Sequence, residues 1–125
     1  MIKVLPIQSK QEQAEICSRC GVEYNADMLA YAASVDDRLA GVCQFKLTDK
    51  GGIITDIAAT LDHRDEEALF VMGRGALNFI DLCGVHYATF TGDCDEKLLL
   101  KIGFRKNGEG VYDVNLEGFF TDHCH

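Results

Sequence analysis

The sequence predicts an α/β fold with a mixed, mostly antiparallel sheet flanked by helices. Three observations carry that prediction. Residues 53–59 are β-branched and apolar and follow the turn signal Asp49-Lys50-Gly51-Gly52, as a buried strand does. From Asp65 onward, Leu69, Met72, Ala76, Ile80 and Cys83 recur at steps of three or four, the period of a helix with one buried face. Gly84 then reads as a helix stop, and residues 85–90 resume an extended pattern. A strand, a helix and a strand of these lengths predict a parallel βαβ crossover.

The other elements follow in order. Met1 to Ile7 reads as a first strand that ends near Pro6, the only proline. Ser9-Lys10-Gln11-Glu12 is a capping box, so a helix is expected from Lys10 through Ala14, Ile16, Cys17 and Cys20 to a stop at Gly21. Residues 22–28 are open between loop and a short helical turn. Leu29 to Ser34 predicts a strand, and Asp36-Asp37 a tight turn into Leu39 to Leu47. There Val42, Gln44 and Lys46 alternate with Cys43, Phe45 and Leu47, as in a half-buried antiparallel strand. Thr60 to Arg64 is a polar loop with Asp62 as candidate N-cap, and Asp65, Glu66 and Glu67 fill the first turn of the crossover helix, where the dipole favours acids. Thr91-Gly92-Asp93 opens a short helix from Asp95 to Ile102, closed by Gly103. A hairpin built from 104–106, the turn 107–110 and 111–116 ends the pattern. Gly73 and Gly75 each cost the helix about 1 kcal/mol relative to alanine, so both are read as close-packing positions against the sheet.

At 125 residues, 47% hydrophobic and 26% charged, the chain is expected to be one globular domain, 1–125. It has no apolar run of membrane-spanning length and no secretion signal pattern, which points to a soluble, cytoplasmic protein. Six cysteines are therefore read as reduced thiols, with Cys43 and Cys83 acting as small hydrophobes inside apolar patterns. Twenty acids against twelve bases give a net charge of −8. This argues against nucleic acid and anionic membranes as partners, and suits a cationic amine, although solubility alone also accounts for it. A homodimer is compatible with everything in the sequence.

Two groups of residues have a chemical reading. Asp56 lies near the end of the central strand, where a carboxylate is costly unless paired, and it is a candidate general base. Tyr31, Tyr87 and Tyr112 are either pocket-lining or core tyrosines. Cys17-Ser18-Arg19-Cys20 has the C-x-x-C spacing and the chain ends His123-Cys124-His125, so a tetrahedral zinc site can be written. The pair ends a helical pattern instead of sitting in a turn, however, and thiols without a metal are the expectation. His63 reads as a solvated loop residue.

The element order, with a helix ending in Lys101-Ile102-Gly103-Phe104 before the last hairpin, resembles the GNAT superfamily of acyl-CoA-dependent N-acyltransferases. In that family a strand leads into a Gln/Arg-x-x-Gly-x-Gly/Ala loop whose backbone amides hold the pyrophosphate of acetyl-CoA. Ile57-Ala58-Ala59 resembles the end of that strand, and Arg64 matches the basic position of the loop. The resemblance implies acetyl-CoA as cofactor, held by residues 57–59, Arg64 and the positions of Asp65, Glu67 and Leu69, with Asp56 catalytic. It also implies a small-molecule or lysine-type amine as acceptor. The chain departs from the pattern where the family has loop glycines: Asp65, Glu67 and Leu69 stand there. A carboxylate 4–6 Å from a phosphate charge is repelled by roughly 3–4 kcal/mol at an effective dielectric near 20. Leu99 stands where the family often has a tyrosine that protonates the leaving thiolate, and Gly92 where it often has asparagine. A rival register with Met72-Gly73-Arg74-Gly75 as phosphate loop leaves only about ten residues before Val85, too few for a crossover helix. Two functions follow: an N-acetyltransferase acting on an unidentified amine, or a catalytically inactive protein of this fold, with its divergent loop, in a binding or assembly role.

Overall fold

A computed structural model describes residues 1–120. The first strand, β1 (Ile2–Pro6), leads into helix α1 (Lys10–Arg19). Ser9 caps α1 by accepting the Glu12 N–H at 3.0 Å, as the capping box predicts. Strands β2 (Leu29–Val35), β3 (Arg38–Thr48) and β4 (Gly51–Ala59) form the predicted meander, turned at Asp36-Asp37 and at Asp49-Lys50. Helix α2 (Glu66–Leu82) is the crossover to β5 (Tyr87–Phe90). Its stop, Gly84, takes φ 84°, a conformation open to glycine at little cost. Helix α3 (Glu96–Ile102) and the strands β6 (Arg105–Lys106) and β7 (Tyr112–Asn115) complete the described chain.

The sheet order is β1-β2-β3-β4-β5-β7-β6, and only the β4–β5 pair is parallel. The crossover predicted from 53–90 is therefore present. α2 and α3 pack one face around Phe45, Ile54, Leu69, Met72, Leu77, Ile80, Leu99 and Phe104. α1 covers the other face, where Cys17 and Cys20 pack on Ala30 and Val42. The second layer corrects one expectation. The Val42–Gln44–Lys46 face of β3 is not half-solvated, because α1 lies over it and leaves Gln44 at 0% exposure.

Three further expectations change. The N-cap of α2 is Asp65, not Asp62: its side chain accepts the Ala68 N–H at 2.9 Å. Cys43 is fully buried as expected, but Cys83 is the exposed C-cap of α2. Gly73 is a close-packing position, but its partner is α3: a Cβ there would meet Ile102 Cδ1 at 2.6 Å. Gly75 is not tightly packed, since a Cβ would find Val4 at 3.5 Å and Tyr31 at 3.9 Å, ordinary contact distances. Gly75→Ala is thus expected to raise stability by about 1 kcal/mol, the helix-propensity difference. Gly73→Ala should lower it, because overpacking of roughly 1–3 kcal/mol outweighs the same gain. Urea unfolding of the two variants measures both signs.

Candidate active site

The site begins with a break in the β3–β4 ladder. Gln44 faces Asp56, but the next residue of β3, Phe45, faces Ile54, so Thr55 is an extra residue on β4. A β-bulge of this kind redirects side chains and bends the strand. On its far side β4 pairs with β5 only through Gly52, Ile53 and Ile54, extended by one bond from the Thr91 N–H to the Ile54 carbonyl at 3.0 Å. Beyond the bulge the two strands part.

The parting leaves a backbone edge open. The Thr60 N–H donates to Ala40 O at 3.3 Å, and Thr60 lies two residues beyond Ala58, which faces Val42. Because backbone groups alternate along a strand, Ala58 turns its own toward β3, while Ile57 and Ala59 turn theirs to the side where β5 no longer pairs. Of the three residues 57–59 singled out by sequence, Ile57 and Ala59 therefore present the N–H and C=O pairs that an extended, amide-containing ligand needs. Ala58 does not. Their side chains serve other ends: Ile57 is in the main core and Ala58 packs toward α1.

Thr55 and Asp56 sit where the edge opens. The Thr55 hydroxyl donates to Asp56 Oδ2 at 2.8 Å, and Gln44 Nε2 donates to the same oxygen at 2.8 Å. Gln44 is itself fully used. Its Nε2 also donates to the Glu23 carbonyl at 2.9 Å, and its Oε1 accepts from Gln13 Nε2 at 2.9 Å and from the Asn25 N–H at 3.1 Å. Gln13, 1% exposed, is held in turn by Lys10, whose Nζ donates to Gln13 Oε1 at 3.2 Å and to the Met28 carbonyl at 2.5 Å. One buried amide thus ties the 23–28 segment to the carboxylate of the bulge. Sequence reasoning missed Gln13 and Gln44. The available signal was a glutamine at the centre of the apolar run 39–47, which is costly unless every polar atom is satisfied. Gln44→Leu should cost about 2 kcal/mol by stranding these partners, and amide exchange should accelerate at residues 23–28.

Residues 23–26 and the bulge enclose a cleft of about 520 Å³, lined by Glu23, Tyr24, Asn25, Ala26, Thr55 and Asp56. Both charged groups on its wall are carboxylates. The cleft attracts cations and carries a base with one Asp56 oxygen fixed by two donors, which leaves the other for a ligand.

The mouth of α2 is built differently. Arg64, expected to hold phosphate, pairs through Nε with Glu66. Asp65 places its own carboxylate on the first-turn amides, the position where an anion would dock. Glu67 is exposed, and Leu69 is buried in the core, where a Cβ on Gly41 would lie 2.8 Å from its Cδ2. These residues do not fit a pyrophosphate, whereas the β4 edge fits the thioester arm of an acyl donor. Leu99, at the position of the family's tyrosine, is 1% exposed and belongs to the core. Gly92 lies against the bulge: a Cβ there would stand 1.8 Å from the Thr55 carbonyl oxygen, so asparagine has no room.

The remaining candidates do not join this site. Tyr31 packs edge-on against Phe45 and Phe79 at 5.3 and 6.1 Å, Tyr87 donates to Asp113 at 2.7 Å, and Tyr112 donates to Glu96. Cys17 and Cys20 are buried free thiols whose pKa values burial raises to about 11, Asp56 adding to the rise at Cys17 and Cys17 to that at Cys20. His123 and Cys124, proposed as their zinc partners, lie outside the described residues. Among the described residues no cluster of three His, Cys, Asp or Glu side chains is placed to hold a metal, and no helix is long and apolar enough to cross a membrane.

A bulged central strand, a parallel neighbour that parts from it and a crossover helix at the gap define the fold of the GNAT acetyltransferases. Solved structures with this fold include the ribosomal-protein-S18-alanine N-acetyltransferase of Escherichia coli, at TM-score 0.68 and 10% identity over 93% of this chain and 94% of that one. A GNAT family acetyltransferase of Brucella melitensis, in complex with acetyl-CoA, matches at TM-score 0.69 and 11% identity over 92% and 88%. An acetyltransferase of Bacillus subtilis, in complex with CoA, matches at 0.66 and 18% over 86% and 79%. No family model matches the sequence, and no curated protein matches it either. The kinship is one of fold.

Proposed function

We infer that this protein is an N-acetyltransferase that moves an acetyl group from acetyl-CoA to the amine of a cationic small molecule or a lysine-type side chain. The observation that carries the reading is the meeting, at one bulge, of an open backbone edge and a fixed carboxylate that faces an acidic cleft. Neighbours of the same fold hold acetyl-CoA or CoA, which supports the choice of donor. When bound, acetyl-CoA supplies an electrophilic thioester carbonyl and a thiolate leaving group.

The chain's own residues do the rest. Ile57 and Ala59 pair with the donor's extended arm and set the carbonyl beside the bulge. Glu23 and Asp56 draw in the ammonium form of the acceptor. Asp56 then takes its proton, directly or through one water, so that the neutral amine can attack. Gln44 and Thr55 keep the carboxylate oriented during the transfer. The N–C bond forms as the C–S bond breaks, and the departing thiolate gains a proton from solvent, since Leu99 has none to donate. The free thiols fit a cytoplasmic setting. Thiol release from acetyl-CoA, followed with a panel of di- and polyamines and lysine peptides, tests the reading. Amine-dependent release supports it, and release that no amine accelerates, from folded protein, counts against it.

A further inference from the structure

A second cleft, of about 410 Å³, opens at the far side of the β4–α2 loop. Three segments build it. The last turn of α1 brings Arg19, whose carbonyl accepts the Leu61 N–H at 3.0 Å. The β2–β3 turn brings Arg38, with Asp36 and Asp37 at φ 50° and 69°. The loop brings Asp62 and His63, and is closed by the Thr60 hydroxyl donating to the His63 carbonyl at 3.0 Å. Backbone hydrogen bonds and the packing of Leu61 on Gly21 hold these segments together.

The charges on the wall do not cancel. Asp36 is engaged by the amino group of Met1 at 2.5 Å, and Asp37 by Lys3 at 3.7 Å. Asp62 is engaged by Thr60, whose hydrogen bond is the main cause of its lowered pKa; Arg38 and Arg19 add smaller contributions. Neither Arg19 nor Arg38 has a carboxylate oxygen within 4.0 Å among the described residues. Two guanidiniums and an imidazole thus face one carboxylate that already has a partner, in a chain of net charge −8. Guanidinium groups are planar donors matched to tetrahedral oxyanions, and α2's own mouth is closed to such anions by Asp65.

We propose that the Arg19–Arg38–His63 cleft binds a phosphate group. The site is separate from the Asp56 cleft and does not depend on the acetyltransferase reading. Its ligand is a free phosphate or the phosphate of a nucleotide, 3′,5′-ADP being the nucleotide portion of the proposed donor.

Isothermal titration of the full chain with inorganic phosphate and with 3′,5′-ADP tests the proposal. Two charge-assisted contacts predict a dissociation constant on the order of 0.1–1 mM. Arg19→Gln and Arg38→Gln should each weaken binding roughly tenfold, Asp62→Asn should tighten it several-fold, and Arg64→Gln should leave it unchanged. Equal affinity for the two probes identifies phosphate alone as the ligand, and tighter binding of 3′,5′-ADP identifies the nucleotide. Thermal melts confirm that each variant is folded. Saturable binding that survives both arginine substitutions, binding lost in Arg64→Gln, or no saturable binding of either probe overturns the proposal. Acetyl transfer in the absence of phosphate binding refutes this site alone, and phosphate binding without transfer refutes only the catalytic reading.

Discussion

Asp56→Asn is expected to lower the rate of amine acetylation by roughly 10²–10⁴-fold while the protein stays folded, because asparagine keeps the shape and loses the base. The substitution preserves an oxygen that can accept from Gln44 and Thr55, so the 23–28 segment should stay anchored. The loss should fall on kcat, with KM for acetyl-CoA little changed, since the donor is placed by the β4 backbone and not by this side chain. Steady-state kinetics on wild type and variant, with circular dichroism as the control for folding, measure the effect. An unchanged kcat would remove Asp56 from the chemistry.

Gly92→Ala is expected to destabilise the protein by about 4 kcal/mol, beyond the usual range for overpacking. The clash is with backbone: the added Cβ would lie 1.8 Å from the Thr55 carbonyl oxygen, and no rotamer change relieves it. Either β5 must move away from the bulge, breaking the Thr91–Ile54 hydrogen bond, or the bulge itself must shift. Both responses disturb the point where β4 and β5 part, so loss of acetylation should accompany loss of stability. Chemical denaturation gives the first, and the amine assay on whatever fraction remains folded gives the second.

Much of the fold could be read from local patterns. Alternation in 39–47, the helical period from Leu69 to Ile80 and the glycine stops are short-range signals, and the parallel crossover follows from their order. The cap of α2 was misplaced because Asp62 and Asp65 are equally good capping residues, and only the path of the loop decides between them. The bulge at Thr55 was not legible at all, since a one-residue slip depends on the partner strand. It decides which backbone groups of 57–59 are available and where Asp56 points. Gln44 was visible as an oddity, but its partners arrive from α1 and from residues 23–25, far off in sequence. The acids at the mouth of α2 were legible as charge. That Asp65 would be spent on its own helix, and Arg64 on Glu66, needed coordinates.

The account rests on the donor lying along the β4 edge beyond the bulge. Titration of ¹⁵N-labelled protein with acetyl-CoA, followed by amide chemical shifts, reads that edge directly. The account predicts saturating shifts at Ile57 and Ala59, with Ala58, turned toward β3, much less affected. Saturable binding that leaves Ile57 and Ala59 unmoved would contradict it.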